Sequence, residues 1–143
     1  MTELDPALVQ MFRAGNKGVL VTLKRDGRPQ LSNVIYHYDE TSHTIRISVT
    51  DDRAKTRNAR RDPRVSFYVT SDDFWSYAVA EGVAEPTPVA RDVGDPVADD
   101  LVDLFRLVNG EHADWDEFRR AMVDDQRLVL RIHVERMYGV NRT

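Results

Sequence analysis

The sequence predicts a mainly β, α+β fold: a six-stranded antiparallel barrel with about four short flanking helices. Several short stretches alternate apolar and polar residues at the two-residue period of a strand. Most of them are joined by tight-turn signals, so chain neighbours pair antiparallel. Strands this short and this close together favour closure, which removes exposed edges. All 143 residues read as one domain, 1–143, long enough for one sizeable core and too short for two.

Taken in order, Asp5-Pro6 is an N-cap followed by proline at the first helical position. It predicts a helix over about residues 6–14 with Leu8, Val9 and Phe12 inward, ended by Gly15. Residues 18–24 alternate as a first strand, with Val19, Val21 and Leu23 on one face. Asp26-Gly27 is a tight-turn signal. Residues 30–38 form a second strand, Asp39-Glu40-Thr41-Ser42 turns the chain, and residues 44–49 form a third. Residues 53–61 read as a short basic helix capped by Asp51 or Asp52 and stopped before Pro63. A fourth strand covers Val65 to Val69.

A fifth strand runs from Trp75 to Glu85. Trp75, Tyr77, Val79 and Val83 on one face oppose the small set Ser76, Ala78, Ala80, Gly82 and Ala84, which lets a backbone or a flat ligand approach. Three of the six prolines fall in residues 85–96, a loop. Ala98, Leu101, Val102, Phe105 and Val108 have helical spacing. Asp114 to Val123 forms another helix, with Trp115, Phe118 and Met122 inward, and Leu128 to Glu135 the last strand.

Composition removes several functions. With no cysteine there is no disulfide framework or thiolate metal site, and a reducing, cytoplasmic compartment is expected. Met1-Thr2-Glu3-Leu4-Asp5-Pro6 has neither a basic nor an apolar leader region, and no apolar run approaches the roughly 20 residues that span a bilayer. Neither a signal peptide nor a membrane partner is expected. His37, His43, His112 and His133 lack metal-ligand spacing, so no metal is assigned. A net charge of −4 argues against a nucleic-acid partner. No glycine-rich phosphate loop or G-x-S-x-G nucleophile motif occurs.

Against that acidic background residues 46–64 reverse sign. Arg46, Arg53, Lys55, Arg57, Arg60, Arg61 and Arg64 stand against Asp51, Asp52 and Asp62, a local net of +4. On the third strand Arg46, Ser48 and Thr50 share the polar face, which runs into the amino end of the basic helix. Free backbone N–H groups, hydroxyls and cations together make an anion site, and phosphate suits it. A solvated helix paired with surface acids is the other reading of the same residues. Ser32, Asn33, His37, Trp75 and Tyr77 are polar or aromatic residues embedded in strands, suited to a groove or, for the aromatics, to packing.

Asp26-Gly27-Arg28-Pro29-Gln30-Leu31-Ser32-Asn33-Val34, then Arg53 to Asn58 with Asp62 to Ser66, then Trp75 to Gly82, then Glu111-His112-Ala113-Asp114-Trp115 resemble, in that order, one known family. It is the pyridoxamine-phosphate-oxidase-like split-barrel superfamily, in the actinobacterial branch of probable F420-dependent oxidoreductases. The resemblance implies a homodimer of six-stranded split barrels with two coenzyme sites at the interface. It sets the coenzyme phosphate against Ser48, Thr50, Arg53, Lys55 and Thr56. It runs Pro29, Gln30, Ser32 and Asn33 beside the ring, with Trp75 and Tyr77 near it, and leaves Arg57 and Asn58 for an acidic tail. The segment that closes the pyridoxamine site in the phosphate oxidases is not recognisable, which points away from vitamin B6.

The activity implied is hydride transfer from the deazaflavin coenzyme F420 to a small electrophilic acceptor such as a conjugated alkene, with FMN as the alternative coenzyme. His37, Tyr77, His112 and Tyr138 are candidate proton donors beside solvent. Two readings compete: a coenzyme-binding protein without turnover, and a single-strand binder using the basic helix and two aromatic platforms.

Overall fold

The structure, a computed structural model, describes residues 3–142; Met1 and Thr2, the start of the stretch read for a leader, and Thr143 lie outside it. Among the described residues there are four helices, α1 (Pro6–Ala14), α2 (Ala54–Arg61), α3 (Pro96–Asn109) and α4 (Trp115–Asp124). The strands are β1 (Lys17–Leu23), β2 (Pro29–Ile35), β3 (His37–Asp39), β4 (Thr44–Thr50), β5 (Arg64–Thr70), β6 (Tyr77–Pro86) and β7 (Arg127–Val140). All pair antiparallel in one sheet of order β2-β1-β5-β6-β7-β4-β3. None of the helices is long and apolar enough to cross a membrane.

The strand count is seven, not six, because the expected strand over residues 30–38 breaks at Tyr36. Chain neighbours β2 and β3 lie on opposite edges of the sheet. Tyr36 makes the crossing. Its N–H donates to the Asn16 carbonyl at 2.8 Å, and its fully buried side chain donates through the hydroxyl to the Phe12 carbonyl at 2.7 Å. The sheet therefore curls until β2 approaches β4, and the split of the barrel lies between them.

Sequence and structure agree closely at several ends. The Asp5 carboxylate accepts from Ala7 N–H at 2.9 Å and starts α1. The turn of Gly27 holds φ at 85°, which favours glycine. On β4, Ile45, Ile47 and Val49 face inward, while Arg46, Ser48 and Thr50 face outward. Two ends differ. The strand expected from Trp75 begins at Tyr77, because Asp73 and Ser71 fold residues 71–76 into a turn: Trp75 N–H donates to Asp73 Oδ1 and Ser76 N–H to Ser71 Oγ, both at 3.0 Å. The expected aspartate cap of α2 is also absent. Arg53 is its N-cap, with no side-chain hydrogen bond, because Asp51 pairs with Arg60 at 2.7 Å.

The interior is filled from both sides. α1 inserts Leu8, Val9 and the fully buried Phe12, whose ring meets Tyr36, Tyr38 and Phe67 at 5.9–6.3 Å. The small set on β6 faces this interior and admits backbone, not ligand: a Cβ on Gly82 would lie 2.2 Å from the His133 carbonyl oxygen. On β1 the inward set is Leu20 and Thr22; Val19, Val21 and Leu23 face out and stay half-buried.

The outer face has two halves. α3 and α4 cover the β4–β7 half with a second apolar cluster of Leu101, Leu104, Phe118 and Val129, among others. The β2-β1-β5-β6 half is uncovered. Residues paired in register share a face, so Asn33, Val19, Tyr68, Val79 and Tyr138 form one outer row across five strands. Leu31, Ile35, Tyr77, Tyr138 and Val140 are exposed.

Candidate functional site

A groove of about 420 Å³ opens at the split of the barrel. β2 contributes Asn33, β4 Ser48, α2 Lys55 and the start of β7 Arg127. The opposite side comes from α3 and α4. The register of β4 on β7 sets Thr50 opposite Arg127, and the Arg127 guanidinium donates to Ser48 Oγ at 3.2 Å.

The charges of the basic stretch divide by partner. Arg46 pairs with Asp100 at 2.8 Å and Asp103 at 3.1 Å, Arg60 with Asp51, and Arg64 with Asp62 at 2.8 Å. Arg57 donates to the Asp52 carbonyl, and Arg61 to the Leu23 carbonyl and Asn58 Oδ1. The side chains of Arg53 and Lys55 have neither an ion pair nor a hydrogen bond among the described residues. Desolvation first, then the Arg53 and Arg127 charges, hold the Lys55 ammonium below the usual lysine pKa. The nearest carboxylate to Arg127 is Asp125, at 4.0 Å. This corner concentrates positive charge beside a hydroxyl and an uncapped helix start, an arrangement that attracts a phosphate or carboxylate.

The expected residues do not all meet there. Asn33, Ser48 and Lys55 line the groove, and Arg53 adjoins it. Pairing in register with Thr22 and Leu20 turns Gln30 and Ser32 to the inner face, so Ser32 and Asn33 point to opposite sides of β2; Pro29 shares the outer side with Asn33. Gln30 accepts from Asn58 Nδ2 at 2.7 Å, and Asn58 also donates to Thr22 Oγ1. Both residues, with Arg57, line a separate groove on the other side of α2. Thr56 is fully buried and donates to the Thr50 carbonyl at 2.8 Å, while Thr50 Oγ1 is itself buried without a partner. Trp75 is 73% exposed on its turn, and Tyr77 stacks on Tyr68 on the uncovered outer face.

Among the candidate proton donors, none lines the groove. His37 Nδ1 is buried and unpartnered, and burial followed by Arg46 lowers its pKa. His112 packs against Phe105, Trp115 and Phe118, with Nδ1 accepting from Asp114 N–H. Tyr138 is exposed on the outer face. Sequence reasoning missed Arg127, which lies 79 residues beyond Ser48 with no local motif around it.

A curled antiparallel sheet, split at one edge and plugged by a helix, is the architecture of the split β-barrel proteins. The chain belongs to the family described as pyridoxamine 5'-phosphate oxidase, which it matches over residues 4–141. Among solved structures it is similar to an F420 reductase, with 21% identity, 90% of this chain and 94% of that one covered, and a TM-score of 0.69. It is also similar to an FAD-binding protein from Mesorhizobium loti, with 18% identity, coverage of 92% and 90%, and a TM-score of 0.65. A third is the heme storage protein HutZ from Vibrio cholerae, with 14% identity, coverage of 96% and 94%, and a TM-score of 0.67. At these identities the shared property is the fold.

Proposed function

We propose that this protein is a cytoplasmic, homodimeric oxidoreductase that holds the deazaflavin coenzyme F420 at the split of the barrel and serves hydride transfer to a small electrophilic acceptor such as a conjugated alkene. One observation carries the reading: Arg53 and Lys55 have no partner beside Ser48, Arg127 and the uncapped start of α2. Uncompensated cations that repel one another are stabilised by an anion of matching charge. The buried, unpartnered Thr50 hydroxyl lies on the same strand face and has capacity for a further hydrogen bond. These groups fit a phosphorylated coenzyme.

In this reading Lys55 and Arg53 neutralise the phosphate, Ser48 and Arg127 fix its position, and Asn33 stands along the edge of β2 where a ring would pass. Bound there, the reduced coenzyme supplies the hydride. The uncovered outer face supports the dimer, because contiguous exposed apolar surface marks an interface. Burying it against a second copy would bring Tyr77 and Trp75 of one subunit towards the other and exclude water between them. The resemblance of four ordered motifs to the F420-type branch supports the choice of coenzyme.

Equilibrium titration with F420 and with FMN, joined to sedimentation of the free protein, tests the proposal. Tighter binding of F420 to a dimer is expected. Tighter binding of FMN overturns the choice of coenzyme, and a monomer that binds F420 overturns the shared site. Binding without turnover across a broad panel of acceptors overturns the enzyme.

A further inference from the structure

The groove has two unlike sides. One carries Lys55, Arg127, Ser48 and Asn33. The other carries Leu101, Leu104, Phe105 and Val108 from α3 with Phe118 and Met122 from α4, and the amide of Asn109 at the end of α3 is its one polar side chain. The latter side presents no cation and no hydroxyl, and Asp125 is the one carboxylate on the rim. α3 is fixed in this position by the ion pairs of Asp100 with Arg46 and Arg131, and α4 by an aromatic cluster in which Phe105 meets Phe118 at 5.0 Å and Trp115 stands edge-on to both. The apolar side is therefore built into the fold, and the volume of about 420 Å³ lies in the range of small-molecule sites.

We infer that the groove takes an amphipathic anion: a phosphate or carboxylate head on Lys55 and Arg127, with an apolar body of several carbons lying directly beside it on the α3–α4 side. A freely hydrated phosphate needs no such wall, and a purely apolar ligand needs no such cations. The inference rests on the anion-binding part of the proposed function and is independent of F420. Two sources share the chemistry, the anionic end of the coenzyme and an acceptor that carries its own acid group.

The test is calorimetric titration of the full chain with inorganic phosphate and with ethyl, hexyl and decyl phosphate below micelle-forming concentration. Affinity is expected to climb along the series, by roughly fourfold for each methylene buried. Lys55→Gln should weaken every member alike. Met122→Gln and, as a second rim variant, Val108→Asn should flatten the dependence on chain length. Leu107→Gln, on the exposed side of α3 away from the groove, should leave it unchanged. Loss of decyl phosphate binding when F420 is saturating assigns the groove to the coenzyme's own end, whereas binding beside F420 removes Lys55 and Arg127 from the coenzyme's phosphate site and assigns the groove to the acceptor.

A series that is flat in chain length but still needs Lys55 overturns the inference and leaves the anion site standing. A rising series with no F420 binding sinks the coenzyme and keeps the inference. A chain-length dependence that Met122→Gln and Val108→Asn leave intact overturns it. So does failure of every alkyl phosphate to bind while the wall is protected from solvent exchange only in the dimer, which would give the wall to a second copy.

Discussion

Two sets of cations lie close together on the outer side of the sheet, one on β4 and β7 themselves and one where the ends of those strands meet the start of α2, and their surroundings differ. Arg46 and Arg131 stand opposite each other in register, a pairing that like charges disfavour. Asp100 resolves it, with Oδ1 at 2.8 Å from Arg46 and Oδ2 at 2.6 Å from Arg131. One turn of the ladder further on, Lys55, Arg53 and Arg127 converge with no comparable carboxylate. The first set has its counter-charge supplied from within the chain and pins a helix. In the proposed function the second takes its counter-charge from the bound anion. On that proposal, a cluster of positive residues is structural or ligand-seeking according to which acids the fold returns to it.

The largest way to break this contrast is Asp100→Ala. It would leave two arginines face to face under α3, with Asp103 as the remaining ion-pair partner of Arg46. Removing one member of a buried ion pair costs about 3–5 kcal/mol, and the partial exposure of Arg131 puts this case near the low end. At roughly 3 kcal/mol the melting temperature should fall by about 10 °C. Asp100→Asn should lose less, because the shape and part of the hydrogen bonding remain. A melting temperature unmoved by Asp100→Ala would show that pairing does not separate the two sets.

Lys55→Ala should do the reverse. Stability should hold or rise slightly, because a cation held below its ordinary pKa by burial and by Arg53 and Arg127 is being removed. Affinity for the phosphorylated coenzyme should drop by about 1.5–3 kcal/mol, roughly 10- to 150-fold, as a charge-assisted hydrogen bond is lost. Unchanged affinity would remove Lys55 from the site. Arg127→Gln sharpens the point. Its side chain already donates to Ser48, so we expect a smaller loss of about 1 kcal/mol in the same titration.

Much of this architecture is written locally. Asp5-Pro6 and Gly15 bound α1, Asp26-Gly27 joins β1 to β2, and the alternation on β4 separates core from site without help from the rest of the chain. What local pattern misses is set by distant partners. Tyr36 reads as one more strand residue, yet it crosses the barrel because Phe12 and Asn16 receive it. The more apolar set on β1, Val19, Val21 and Leu23, lies outward because that face is left uncovered by the helices. Of the predicted contacts, Gln30, Thr56 and Asn58 have their polar groups bound inside the fold, while Arg127 joins the groove through the pairing of β7 on β4. Charge density marks residues 46–64 as one stretch; only the returning acids divide it into paired and unpaired cations.

The smallest expected effect is a pH dependence. Lys55 has a folded-state pKa below its unfolded value, so folding disfavours its charged form. That penalty is present at neutral pH, below the folded pKa. It is relieved as pH rises through the folded pKa towards the unfolded one, so this residue alone makes the protein slightly more stable on the alkaline side. Anion binding runs the other way: a phosphate prefers the charged lysine and must lose affinity across the same alkaline window, beginning below 10.5, the ordinary lysine value. Lys55→Arg, whose guanidinium stays charged, should bind phosphate with an affinity that no longer falls in that window. Titrations of both forms between neutral and alkaline pH would check this, and parallel curves for lysine and arginine would mean that another group governs the anion.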